Sequence, residues 1–208
     1  MQTDISDRDL SRVRLRFLDL LKSFFQDVPD AERLSRWRGI FAALDKEQIS
    51  RQLDTTIREL GELLAEKSLS QIKDEHYALF TDPYSKQLLP LTATYYIDGK
   101  SFGPSLANLR EILKQGQLIK ENKITDPEDS LPIMLDTLAT LIQEEQLVSV
   151  KTRHLQDQLL QQFLIPTVKQ MQKRISKNTE TGFYQKCIAF LDAYLVLEQG
   201  LIEKEEIA

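Results

Sequence analysis

Histidine and cysteine, which most often carry acid/base, nucleophilic and metal chemistry near neutral pH, are scarce here: His76, His154 and Cys187 are the whole supply. A structural zinc site takes about four such ligands, so no metal is expected. Cys187 lies in the apolar string Lys186-Cys187-Ile188-Ala189-Phe190-Leu191 and reads as a buried core thiol rather than half of a Cys–His pair. One unpaired cysteine fits a reducing compartment or indifference to redox. Glu75-His76 sets a carboxylate beside an imidazole, but successive helical positions point about 100° apart, and Tyr77, Leu79 and Phe80 favour burial of the segment. His154, in a Lys-Thr-Arg-His run, reads as solvated. No Gly-rich phosphate loop, Gly-x-Ser-x-Gly elbow, His-Glu-x-x-His pair or calcium loop is present. Catalysis is therefore not expected.

The run Asp126-Pro127-Glu128-Asp129-Ser130-Leu131-Pro132 admits two readings. Acidic and hydroxyl side chains before a helix cap its orphan N–H groups and complement its dipole. Three carboxylates on a proline-stiffened loop also suit a cationic ligand. Asp129→Asn separates the readings, because Asn caps as well as Asp but forms no ion pair. The net charge of −5 argues against tracking nucleic-acid phosphates and favours a basic or apolar partner.

These residues must be positioned by helices. Seven glycines and seven prolines in 208 residues leave few turn formers, and 41% apolar residues suffice for a core without staples. Apolar steps of three and four predict helices over about 5–27, 30–44 and 46–66, and a fourth from near Ser70. From Thr81 to Pro104, Asp82-Pro83, Leu89-Pro90, Asp98-Gly99 and Gly103-Pro104 break the period, which predicts one long aromatic-rich loop. A helix over about 105–115 closes on Gly116 as its C-terminal cap, a second break spans 117–130, and helices follow over about 131–147, 151–177 and 181–204. Pro166 is expected to kink the middle one, and Thr181-Gly182 to open the last. The expected fold is an all-α bundle of eight or nine helices with two functional loops. It forms one domain over 1–208, with 1–104 and 105–208 as its candidate halves joined at 81–104. No apolar leader opens the sequence and no run is long enough to cross a membrane, so a cytoplasmic protein is expected.

Four segments, in order and spacing, resemble the cytoplasmic redox-enzyme maturation chaperones of the TorD/DmsD type, closest to the TorD branch. Glu75, Leu79 and Phe80 match Glu-aromatic-x-x-Leu-Phe, with His76 at the aromatic position. Pro90 and Tyr95 match Pro-x-x-Ser-x-Tyr, with Ala93 for Ser. Phe102-Gly103 and Gly116 fit the glycines flanking the next helix. Asp126-Pro127-Glu128-Asp129-Ser130-Leu131 matches Glu-Pro-x-Asp-His-Leu, with Asp126 for Glu and Ser130 for His. Weaker matches are Leu159 to Thr167, against Phe-Leu-x-x-His-Leu-x-Pro-Trp, and Gly182-Phe183-Tyr184 at the last helix. The resemblance runs from about Glu75 to the C-terminus; the first 70 residues match only in helical character.

The resemblance implies an all-helical, non-enzymatic chaperone without a cofactor. It would bind the twin-arginine signal peptide, and the apo form, of a molybdenum-cofactor oxidoreductase precursor and hold back Tat export until the cofactor is inserted. Its signal-peptide residues would be Glu75, Leu79, Phe80, Pro90, Tyr95, Phe102, Gly103, Asp126, Pro127, Glu128 and Asp129. Guanine-nucleotide binding enters only through the resemblance, since no phosphate motif stands in the chain. The alternative of a different class is a helical scaffold that binds an amphipathic helix of a cytosolic partner; twin-arginine preference distinguishes the two. Helices joined by a long loop can exchange between protomers, so a monomer or a domain-swapped homodimer is expected. Sedimentation showing only monomer across micromolar concentrations would remove the dimer.

Overall fold

Apolar side chains at helical spacing define α1 (Asp7–Phe25), α2 (Ala31–Leu44), α3 (Arg51–Glu66), α4 (Leu69–His76), α5 (Ala93–Ile97), α6 (Ser105–Gln115), α7 (Leu131–Glu145), α8 (Ser149–Leu159), α9 (Ile165–Ile175) and α10 (Gly182–Glu206). A computed structural model describes residues 7–120, 125–145, 149–176 and 182–206. A π-helical turn, Tyr77–Thr81, prolongs α4, and a second, Leu160–Leu164, joins α8 to α9. The ten α-spans thus make nine continuous helices among the described residues, as the period predicts. No strand accompanies them there, and Thr92 and Ser130 form an isolated antiparallel bridge. Thr181, the first residue of the expected helix opening, lies outside the described residues, as do 146–147 at the end of the expected 131–147 helix and the ends 5–6 and 177 of two others.

Helix limits differ from the sequence reading where side chains cap. Expected from residue 46, α3 begins at Arg51: Ser50 Oγ accepts the Leu53 N–H at 3.3 Å, while Asp54 turns back to accept those of Ile49 and Ser50 at 3.0 and 3.3 Å. Gly116 stands at the end of α6 in right-handed geometry, and Gln117 takes the left-handed φ of 55° instead. A Cβ at Gly116 would come within 3.3 to 3.4 Å of the Leu118 and Leu141 side chains, which would have to yield slightly. The disturbance expected at Pro166 is the π-helical turn just before it, which widens the coil ahead of a residue without an N–H.

The largest correction concerns 81–104, which is not one long loop. Asp82 and Ser85 fold residues 82–88 into consecutive side-chain-capped turns, the Leu89 N–H donates to the Leu79 carbonyl at 2.7 Å, and α5 follows. Five helical residues between turn formers are too short to show a 3.6 period.

Contacts divide the chain into two compact units, Met1–Ser23 with Thr92–Leu164 and Phe24–Leu91 with Ile165–Ala208. These units interleave, whereas the candidate halves were sequential. In the first, α7 packs on α8, α8 on α6, and α5 on α6. Its core contains Leu109, Leu135, Leu138, Leu141, Leu155 and Phe163. In the second, α10 packs on α3, α4 and α9, and α2 on α3, around Phe24, Trp37, Phe41, Phe183 and Phe190. Ring centroids there lie 4.9 Å apart for Phe24–Trp37 and 5.7 Å for Trp37–Phe183, within the range of favourable aromatic contact.

In the first unit α1 is tied to α7 and α8 by buried polar contacts. Arg14 donates to Gln156 Oε1 at 2.9 Å and to Glu145 Oε2 at 3.4 Å, and Arg153 reaches Glu145 Oε1 at 2.6 Å. Burial pushes the Glu145 carboxyl up, but the bonds from Gln156 and Arg153 and the Arg14 charge outweigh it and hold it below its ordinary 4.5. A depressed carboxyl stabilises the fold above the unfolded value, and that contribution is lost as pH falls through the folded one. Arg14→Ala is expected to cost about 2 to 4 kcal/mol by leaving Gln156 and Glu145 short of a donor. Glu145→Gln should flatten the stability profile below pH 4.5, as read by urea unfolding at a series of pH values.

Candidate functional site

The proposed binding residues divide between the units: Glu75, Leu79, Phe80 and Pro90 belong to the second, and Tyr95, Phe102, Gly103 and Asp126 to Asp129 to the first. In each unit a motif carboxylate caps a helix distant in sequence.

In the first unit α5 starts at Thr92 without a cap from its own side chain. Its orphan N–H groups are met by Asp129: the backbone carbonyl accepts Ala93 N–H at 2.9 Å, and Oδ2 accepts Thr94 N–H at 2.9 Å and Thr94 Oγ1 at 2.6 Å. The carboxylate has no exposed surface. Thr94 Oγ1 in turn accepts the Phe102 N–H at 3.1 Å. Asp98, which ends α5, caps α6 by accepting Ser105 N–H and Oγ at 3.0 and 2.6 Å. A Cβ on Gly103 would stand 2.2 Å from Asp98 Oδ2, so only glycine fits there.

These bonds hold Phe102 at φ 57°, where a non-glycine residue is strained, with the residue 70% exposed. Tyr95 and Tyr96 on α5 are half-buried and stand edge to face to each other, with centroids 5.1 Å apart. Asp126 is exposed and Pro127 half-buried. Glu128 is engaged by Arg110 through Nε and Nη2 at 3.2 and 3.3 Å, and that pairing holds its carboxyl below the ordinary 4.5. Of the acidic run, Asp126 therefore offers the exposed carboxylate, while Asp129 is committed to Thr94.

In the second unit Glu75 is buried and caps α10. Oε1 accepts Tyr184 N–H at 2.8 Å, and Oε2 accepts Phe183 N–H at 3.3 Å and Lys67 Nζ at 3.1 Å. Leu79 is buried, Phe80 and Pro90 are half-buried, and Phe80 packs edge-on against Phe25 and Tyr184. His76 is buried rather than poised for acid/base work, His154 is exposed and Cys187 is buried. Burial pushes the Cys187 thiol well up, with Glu75 adding to the effect. Sequence reasoning missed Thr94, Asp98, Ser105, Lys67 and Arg110, because each acts across a gap in the chain that no local motif marks.

The family model described as nitrate reductase delta subunit matches residues 46–171. The chain belongs to this family, the TorD-type chaperones of redox-enzyme maturation, and is a maturation chaperone rather than an enzyme. The match starts earlier than the motifs suggest, at residue 46, and Gly182-Phe183-Tyr184 falls beyond it. A candidate redox enzyme maturation protein from Archaeoglobus fulgidus, known from its crystal structure, has the same fold at a TM-score of 0.55 and 15% identity, over 88% of this chain and 93% of that one. No curated protein matches the chain. Among the described residues no helix is long and apolar enough to cross a membrane.

The two caps differ in how many oxygens they use, and this sets their response to substitution. Asp129 works through Oδ2 alone, and Oδ1 makes no hydrogen bond. Asp129→Asn keeps the working oxygen and should cost about 1 kcal/mol, against roughly 2 to 4 for Asp129→Ala. Glu75 uses both oxygens, so Glu75→Gln turns an amide donor toward another donor and should cost about 2 kcal/mol or more. Urea midpoints that rank Asp129→Asn as the costlier of the two amides would contradict these cap assignments.

Proposed function

We propose that this chaperone binds, in the cytoplasm, the twin-arginine signal peptide of a molybdenum-cofactor oxidoreductase precursor, assists cofactor insertion and holds back Tat export meanwhile. The observation that carries the reading is Phe102. An exposed phenylalanine at positive φ is unfavourable twice over, since glycine would relax the backbone and a polar side chain would suit the solvent. The Asp129–Thr94–Phe102 chain of hydrogen bonds nevertheless holds it out. Such a ring is an anchor for the apolar stretch of a peptide, with Tyr95 and Tyr96 adding aromatic surface. Exposed Asp126, in the same unit, supplies charge for an arginine. Asp129 serves the site by positioning Phe102 rather than by touching the peptide.

Phe102→Gly separates binding from folding. Stability should hold or rise by up to about 1 kcal/mol as the strain is relieved, while calorimetric titration with a twin-arginine peptide should show affinity falling roughly 10- to 100-fold. Asp126→Asn should weaken binding less, and mainly at low salt. A Lys-Lys peptide should bind more weakly than its Arg-Arg counterpart because lysine lacks the bidentate fork. Undiminished binding by Phe102→Gly would overturn the assignment of the anchor, and equal affinity for the two peptides would favour a general binder of amphipathic helices.

A further inference from the structure

The second unit contains a titratable group that neither capping nor the proposed peptide site uses. His76 is 5% exposed and neither ring nitrogen has a hydrogen-bond partner. Its ring stands edge-on to Phe80 at 5.1 Å and to Tyr184 at 5.7 Å, and the Tyr184 hydroxyl is likewise buried without a partner. A neutral imidazole is tolerable there, but an imidazolium has no acceptor and little water.

The charged and titratable groups around it are few. From the stretch between α1 and α2 and the first turn of α2, Asp27 favours the protonated ring and Arg33 opposes it; these two pair with each other at 3.5 Å. On its own helix, Glu75 is occupied by Lys67 and by the first turn of α10. On α10, burial pushes both the Tyr184 hydroxyl and the Cys187 thiol up, so both remain uncharged. Burial outweighs Asp27 and holds His76 below its ordinary 6.5.

His76 immediately follows the residue that caps α10 and packs on a residue of that helix's first turn. We propose that His76 is a proton-triggered release for the start of α10: neutral, it keeps the π-helical turn and α10 packed together, and proton uptake expels the ring, draws Glu75 off its N–H donors and uncovers Phe25, Phe80 and Tyr184. The sign follows from the environment. Below pH 6.5 the exposed ring binds a proton that the buried ring refuses, so acid favours the opened state.

Hydrogen exchange at the Phe183 and Tyr184 amides tests this directly, because both are protected by Glu75. After correction for intrinsic rates, the opened fraction should rise as pH drops below 6.5, by up to roughly tenfold per pH unit, and binding of a dye for apolar surface should rise with it. His76→Phe should be flat over the same range; His76→Gln, polar but not titrating, serves the same purpose if the phenylalanine overpacks. Asp27→Asn, which removes the charge favouring protonation in place, should enlarge the response. A wild type without acid-induced opening, an equal rise in the His76 variants, or a smaller response in Asp27→Asn would each overturn the proposal.

Discussion

A carboxylate brought from a distant segment to the N-terminus of a helix is the interaction on which the ordered loops of this chaperone depend. A helix start leaves N–H groups without partners, and burying them unmet costs several kcal/mol. Neither Thr92 before α5 nor Pro104 before α6 supplies a side-chain bond to the helix it precedes. Asp129 and Asp98 supply the bonds instead. Glu75 does the same for the first turn of α10. The bonds span from seven residues, at Asp98, to more than a hundred, at Glu75, and each fixes where a helix begins.

In the first unit the cap becomes a positioning device. Because Thr94 donates to Asp129 and accepts from Phe102, one buried carboxylate sets both the start of α5 and the strained backbone of an exposed aromatic. Gly103 completes the arrangement by leaving room for Asp98 against its own backbone. Rigid presentation of an apolar side chain suits the proposed peptide site, since ordering the loop at the moment of binding would subtract from affinity. This gives the acidic run a physical role in a maturation chaperone without making every carboxylate a ligand.

The second unit follows another logic, with aromatic packing around α10 and a buried imidazole among the rings. Apolar contact stabilises it at every pH, whereas the unpartnered nitrogens of His76 make one part of it sensitive to protons. Two adjacent residues, Glu75 and His76, thus carry opposite tasks: the first is satisfied by three donors, and the second has none to satisfy it.

The sequence by itself determined the helical class, the approximate helix spans, the burial of Cys187 and the family, because apolar periodicity and motif order are local properties. Four of the residues it singled out as candidate binding residues, Glu75, Phe102, Gly103 and Asp129, have the structural roles described above. The start of α2, where Asp30 accepts the Arg33 N–H, was legible to within a residue, but that of α3 was not, although Ser50 caps it in the same way. The short α5 was not legible, because five residues cannot display a period and their cap lies 35 residues away at Asp129. Nor could spacing reveal that Asp129 turns inward to Thr94 while Asp126 faces solvent. Only the tertiary structure decided that, since the direction of a carboxylate depends on which distant N–H groups would otherwise be left unmet.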